Sequence, residues 1–369
     1  SKHLSGRILL GRSFLLSREF KGAENQFRQA LIDGADKSQI LIPLGQSLLF
    51  QGEFENLLET IKLDSNSINE VDILSMRGRA YFELNRYALA RVSYDSAIRI
   101  APNEPAGYVG NAIVELKLGN ISKGNVWIDK ALALDNNNAE ALQLKGDVLF
   151  RQGDMHEAKQ ILQQSLTINA SSFRARLLLA EIYIVETELD KALEHIKFVL
   201  ELEPNYPNVN ILYAFVLIKL GKKDDAQKVS KNLSIYLSKI DDNDLNKSPS
   251  LRFILGTSLF IQESWENAYR HLNYYAQRYS GHEQSHIMVA ELDIRFERYN
   301  AAIKILNHYS GESKSIKLWI LNLISLVKQS DHFAALTTVD KALEEHPDEI
   351  QLFEYKVKLL IANNKLPEA

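Results

Sequence analysis

One periodicity constrains this 369-residue chain more than any other feature. A small residue returns about every 34 positions, as Gly11, Gly45, Gly78, Ala112, Gly146, Ala180, Ala214, Gly256 and Ala290. Leu323 and Val357 continue the series with larger side chains. Twelve residues after each lies a second phased position: Ala23, Leu57, Ala90, Gly124, Ala158, Ala192, Ala226, Ala268, Ala302, Ala335 and Ala369. Nine of those eleven are Ala, a bias that random placement does not produce. A third small residue recurs less strictly, at Ala30, Ala97, Ala131, Ser165 and Ala342. An aromatic often opens the second half of the unit, as in Phe20, Phe54, Tyr87, Trp265 and Tyr299. Pro102, Pro204 and Pro347 close some units, where a helix must stop. Gly52, Gly119, Gly153 and Gly221 mark a tight turn within the unit.

Such spacing predicts two antiparallel helices per unit. The first helix approaches the second at the Gly/Ala pair, and a larger side chain there would hold them apart. The pattern is that of the 34-residue tetratricopeptide repeat. It predicts an all-α superhelix of helix-turn-helix repeats, an α-solenoid of about ten and a half repeats. Unit starts fall near residues 4, 38, 71, 105, 139, 173, 207, 249, 283, 316 and 350. This places repeats 1–7 in 1–240, an insertion or joint in 241–248, and repeats 8–10 plus the first helix of an eleventh in 249–369. The step from 207 to 249 is 42 residues, and its surplus falls around DDNDLNKSPS. Asp241, Asp242, Asn243 and Asp244 cannot be buried cheaply. The polar run therefore predicts loosened stacking at this joint and preferential proteolysis there.

Composition removes several classes of function. With 46% hydrophobic residues the chain can build a core, and 17 Gly with 8 Pro are too few for a turn-rich all-β protein. There is no cysteine, hence no disulfide scaffold, thiol nucleophile or Cys-ligated metal site. A net charge of -4 and a pI near 6.2 argue against nucleic-acid binding by bulk charge. No run of 18 apolar residues is present. The start, SKHLSGRILL, has neither an initiator Met nor a signal-peptide layout, and reads as a piece of a longer protein.

Stacked helix pairs present a concave face built from the first helices, and such faces bind protein segments rather than perform chemistry. The residue just after each small position should face that groove: Arg12, Gln46, Arg79, Ile113, Asp147, Glu181, Phe215, Thr257, Glu291, Ile324 and Lys358. The residue three before it should line the groove too, Phe253 among them, although apolar members can instead contact the next repeat. The candidate protein-binding residues are Arg12, Gln46, Arg79, Asp147, Glu181, Phe215, Phe253 and Glu291. Read in order, the groove is basic, then acidic, then apolar around Phe215, Phe253 and Phe260. This suits an extended or helical segment of another protein. The Lys and Asn of the carboxylate-clamp type, which holds C-terminal EEVD-like tails, are missing.

One run demands a chemical answer. His282-Glu283-Gln284-Ser285-His286 matches H-E-x-x-H, in which two His one turn apart on a helix bind zinc and the Glu acts as base. Here it straddles a unit boundary with the repeat phase undisturbed, so no metal site is expected. There is no G-x-x-x-x-G-K-[ST], G-x-S-x-G or G-x-G-x-x-G run. No catalytic residue and no cofactor follow from the sequence, and the chain reads as non-enzymatic.

The order of the units adds a finer likeness. Ala30-Leu31, Gly34-Ala35-Asp36, Pro43-Leu44 and Gly52-Glu53-Phe54 reproduce an "A-L-x-x-G-A-D" unit end leading into "L-x-P-L…G-x-F". LSMRGRAYFEL (74–84), ALQLKGDVLFRQGD (141–154) and the long step ending in SPSLRFILG (248–256) fit as well. In these features the chain resembles the tetratricopeptide lipoproteins of PEP-CTERM/exosortase systems. The resemblance implies a lipid-anchored array on the periplasmic side of a bacterial envelope, encoded with exopolysaccharide biosynthesis and acting as a scaffold. Membrane contact would then come only through an anchor outside this sequence. The alternatives are the docking or regulatory array of a larger enzyme, such as a glycosyltransferase, and a cytosolic adaptor.

Overall fold

The computed structural model describes residues 2–62, 69–309 and 315–362. Among these residues there are twenty-two helices and no strand. Twenty helices follow the predicted phase, two to a repeat in chain order: α1 (Lys2–Leu16) and α2 (Phe20–Ile32), α3 (Lys37–Gln51) and α4 (Phe54–Thr60), α5 (Glu70–Glu83) and α6 (Tyr87–Ile100), α7 (Ala106–Lys117) and α8 (Ile121–Leu134), α9 (Ala139–Gln152) and α10 (Met155–Ile168), α11 (Phe173–Val185) and then α12 (Leu189–Leu202), and α13 (Pro207–Lys219) and α14 (Lys223–Leu237). A short additional helix, α15 (Asp242–Lys247), occupies the long step. The pairing resumes with α16 (Pro249–Ile261) and α17 (Trp265–Ala276), α18 (Glu283–Arg295) and α19 (Tyr299–His308), and α20 (Ile316–Lys328) and α21 (His332–Glu345), and α22 (Ile350–Ala362) follows. The chain divides into two compact units, Ser1–Thr187 and Glu188–Ala369.

The phased small residues are where the sequence places them. Gly11, Gly45, Gly78, Ala112, Gly146, Ala180, Ala214, Gly256, Ala290 and Leu323 are all buried, while Val357 on the last helix is 38% exposed. Every described member of the second series, from Ala23 to Ala335, is buried too, and Ala369 lies outside the described residues. The reason differs from a direct Gly–Ala contact. A Cβ on Gly11 would sit 2.7 Å from the Phe27 ring, on Gly78 2.6 Å from Tyr94, on Gly146 2.5 Å from Leu162, and on Gly256 2.8 Å from Leu272. In each case the obstacle is the large residue sixteen positions on, projecting from the second helix. Gly45 varies the theme, with Met76 Sδ of the next repeat at 2.8 Å and Ile61 at 3.5 Å. The first helix is thus hollowed to receive a knob, which is how close-packed interiors avoid voids.

The turn inside each repeat is equally regular. Seven residues after each small position the backbone adopts a left-handed conformation: at Arg18, Gly52, Asn85, Gly119, Gly153, Thr187, Gly221, Glu263, Glu297 and Ser330, φ lies between 58° and 90°. The next residue then donates its N–H to the carbonyl five back, as in Glu19 to Phe14 (2.8 Å), Arg86 to Tyr81 (2.8 Å) and Arg298 to Asp293 (2.7 Å). This is the Schellman closure of a helix C-terminus, which needs one left-handed residue.

The insert does not behave as its polarity suggests. Asp241 caps α15 by accepting from the Asp244 N–H at 2.9 Å, and Leu245 turns inward, 2% exposed, against Leu233, Leu237, Ile254 and Leu255. Arg252, itself buried, donates to Asp242 Oδ1 at 2.9 Å. Past the insert, Gln262 Nε2 donates to Ser234 Oγ at 3.0 Å and to the Ser230 carbonyl at 3.1 Å, tying α16 back to α14. The expected loosened joint is instead an amphipathic turn of helix, with one leucine as anchor and acids facing water.

Candidate protein-interaction face

The eleven residues that follow the small positions form a consistent set. None of them is buried. Arg12, Gln46, Glu181, Phe215 and Lys358 are exposed, and Arg79, Ile113, Asp147, Thr257, Glu291 and Ile324 are partly so. A helix that buries position i against its partner must turn position i+1 by about 100° away from that contact, which accounts for the set. Of the eight candidates, Arg12, Gln46, Arg79, Asp147 and Glu181 belong to the first compact unit, and Phe215, Phe253 and Glu291 to the second.

In the first unit the structure brings some of them together across repeats. The Arg79 guanidinium on α5 meets Glu83 at 2.8 Å and reaches Glu140 on α9 at 3.8 Å, so first helices two repeats apart face the same space. Asp147 on α9 is held by Arg151 at 2.8 Å. Glu181 on α11 feels both, and its carboxyl is raised above its ordinary value, first by burial of part of the side chain and then by the Asp147 charge, against the pull of Arg151. Arg12 on α1 and Gln46 on α3 are exposed. The predicted basic-to-acidic order is therefore largely neutralised by neighbours that sequence reasoning left out: Glu83, Glu140 and Arg151. Two of those were available from the i,i+4 spacing of opposite charges, Arg79 to Glu83 and Asp147 to Arg151.

In the second unit, Phe215 is 44% exposed, with the Lys219 ammonium 5.1 Å from its ring centre. Glu291 pairs with Lys317 at 2.6 Å. Phe253 differs from the expectation of an open groove residue. Its ring packs at 5.1 Å from Tyr275 and edge-on at 4.6 Å from His282, inside the contact between repeats. Phe260 is likewise packed edge-on against Trp265 at 5.4 Å. Of the predicted apolar stretch, Phe215 alone offers an exposed ring.

The H-E-x-x-H run cannot assemble the zinc-protease geometry. His282 precedes α18 and serves as its cap, with Nδ1 accepting from the Ser285 N–H at 3.3 Å. His286 is fully buried, donates from Nδ1 to the His282 carbonyl at 3.0 Å, and meets the Tyr309 ring at 5.4 Å. Burial lowers the pKa of both imidazoles. Two His used this way, one as a cap and one as core, do not present a pair of nitrogens on one helical face. No group of three or more potential ligands stands together among the described residues. Protein purified without a His-tag or chelator is expected to carry no zinc by metal analysis, and a stoichiometric metal would overturn this account.

Comparison with known proteins agrees with the geometry. Residues 71–104 and 186–234 match tetratricopeptide-repeat family models, and residues 119–199 match the family described as anaphase-promoting complex, cyclosome, subunit 3. The chain is a tetratricopeptide-repeat protein. It is 27% identical over 169 residues to the protein CTR9 homolog of Arabidopsis thaliana, covering 43% of this chain and 15% of that protein. It is 26% identical over 253 residues to cellulose synthase operon protein C of Xanthomonas axonopodis pv. citri, covering 61% and 16%. The chain thus spans only a small part of the length of these two relatives. Among solved structures, the APC/C hetero-tetramer Cut9-Hcn1 matches 95% of each chain at 12% identity with a TM-score of 0.60, a likeness of fold. Tetratricopeptide arrays bind other proteins, and no helix among the described residues is long and apolar enough to cross a membrane.

Proposed function

We propose that this chain is a non-catalytic scaffold whose first-helix face holds an extended or helical segment of another protein. The observation that carries the reading is the unburied row one residue after each small position, joined across repeats by Arg79 and Glu140. Paired charges of this kind favour a partner that replaces one ion pair with another, so they set register and direction more than affinity. Exposed apolar groups such as Phe215 supply most of the binding energy. No cofactor takes part.

The setting we propose is a bacterial envelope system for exopolysaccharide export or PEP-CTERM protein sorting, on the periplasmic side, with a lipid anchor outside this sequence. It rests on the resemblance carried by Ala30-Leu31, Gly34-Ala35-Asp36 and Gly52-Glu53-Phe54, and on the similarity to the cellulose synthase operon protein. Capture from envelope extract tests both parts. The triple substitution Arg12→Glu, Arg79→Gln, Phe215→Ala is expected to lose partners that the unsubstituted chain recovers, with the helical spectrum unchanged. Recovery of the same proteins by both would remove the first-helix face as the binding site. Partners drawn only from cytosolic complexes would remove the envelope setting.

A further inference from the structure

The histidines of this chain are unevenly placed. Of nine, His3 and His156 lie in the first compact unit, both exposed, and the others in the second. Three of these are built into neighbouring repeats in ways that suit only a neutral ring: His271 on α17, His282 at the head of α18 and His286 inside it. His286 is fully buried, and its Nδ1–H is spent on the His282 carbonyl at 3.0 Å, so Nε2 carries the lone pair. Nε2 is buried with no partner among the described residues, and a proton there would make an N–H without an acceptor. His282 Nδ1 accepts from the Ser285 N–H at 3.3 Å and caps α18, and a proton on Nδ1 would end the cap. His271 is 3% exposed, with Nε2 3.3 Å from Arg270 Nη2. A guanidinium can only donate, so Nε2 accepts, and a proton on it would set donor against donor.

The groups around the three rings do not welcome a new positive charge. Beside His271 stand Arg270 and, from α16, Arg252, while the opposing Asp242 of α15 is already bound to Arg252 at 2.9 Å. His282 packs against the rings of Phe253 from α16 and Tyr275 from α17, on which Tyr279 is stacked at 4.5 Å. His286 is faced by His308 of α19 and by the Tyr309 ring, whose hydroxyl donates to Glu283 at 3.4 Å. From α20, Lys317 is held by Glu291 of α18 at 2.6 Å. Burial is the first cause that lowers the pKa of each ring, and Arg270 and Arg252 take part in bringing His271 down to about 4. With the folded-state value below the unfolded one, stability is whole above pH 6.5 and is lost as pH falls toward the folded-state value. Asp293, also on α18, is raised by burial against the pull of Arg298 and shifts in the opposite sense.

We propose that α17 and α18 form an acid-released latch: mild acid protonates His271, His282 and His286, loosens this part of the second unit, and leaves the packing of the first unit in place. Each proton removes a hydrogen bond or buries an N–H without an acceptor, so the three act in the same direction. The latch is independent of the first-helix face as a binding site.

Hydrogen exchange of the full chain at about pH 7 and about pH 5 tests this, read as protection factors so that the intrinsic effect of pH cancels. Peptides from α17 and α18 are expected to lose about tenfold in protection on acidification, the order that one such histidine carries across this interval. Peptides from α5 to α10 are expected to keep theirs. His271→Gln combined with His286→Asn removes two titrating rings, yet leaves an acceptor for Arg270 and a donor to the His282 carbonyl. This variant is expected to retain most of the protection of α17 and α18 in acid. Equal losses in both units, or the same loss in the double variant, would overturn the latch. Ring resonances of the unsubstituted chain give a check that needs no variant to fold. His271 and His286 are expected to titrate below 6.5 in the folded chain, and titration of either at 6.5 or above would overturn the latch as well.

Discussion

Gly78→Leu is expected to destabilise the first compact unit by about 3 kcal/mol, at the upper end of what overpacking costs. The hollow at Gly78 is filled by the Tyr94 ring, only 2.6 Å from where a Cβ would lie. Tyr94 has no retreat. On its other side a Cβ on Gly110 of α7 would lie 2.2 Å from the same ring, so the tyrosine is clasped between the first helices of two successive repeats. It is 3% exposed, and burial pushes its hydroxyl pKa well above the ordinary value. A leucine at position 78 must therefore move a helix, not a side chain, and in a stacked array the disturbance passes to the neighbouring interface. Urea unfolding followed by circular dichroism measures the effect. Gly6→Ala serves as the control, because a Cβ there meets nothing within 4 Å, and it is expected to be neutral or slightly stabilising. Equal effects of the two substitutions would show that Tyr94 does not occupy the hollow.

The second large effect is a dependence on pH that comes from Glu24. This carboxylate on α2 is 3% exposed, and burial alone would raise its pKa. Instead Lys21 at 2.8 Å, Arg28 at 2.8 Å and Gln51 of α3 at 3.0 Å all donate to it, and together they hold it at about 2 against an ordinary 4.5. The folded-state value is the lower one. The contribution to stability is complete above pH 4.5 and is lost as pH falls through the interval toward 2. It amounts to about 2 kcal/mol once the exposure of Lys21 and Arg28 is discounted. Glu24→Gln is expected to be less stable at pH 7 and to show a shallower fall in stability between those pH values than the unsubstituted protein. Two parallel stability–pH curves would mean that Glu24 is not the group that titrates.

These two sites show what a sequence discloses and what it keeps back. The phase of Gly78 and Ala90 is visible because the period repeats it, and it suffices for the helix pairs and their order. The filling residue Tyr94 is not visible. Hollow and knob trade size between them, and Phe, Tyr and Leu all serve at the same position. The four turn glycines announce their left-handed backbone. Arg18, Asn85, Thr187, Glu263, Glu297 and Ser330 adopt it unannounced, because the Schellman closure repays a conformation that costs an L-residue about 1–2 kcal/mol. Leu245 is masked by the acids around it, since average polarity says nothing of which side a single leucine faces. On the interaction face the row of positions was legible, but its charge pattern was not, because Glu140 lies two repeats from the Arg79 it meets.

The left-handed turns also decide where this chain tolerates a change of length. From small residue to turn is always seven residues, and from turn to the second phased position always five, whereas the step between repeats takes 33, 34 or 42. A codon gained inside a repeat would rotate the knob out of its hollow and misplace the residue that closes the helix. A codon gained between repeats only lengthens a connection. The eight extra residues lie at such a connection. An array of this architecture can therefore lengthen at a joint, with every repeat on either side left as it was.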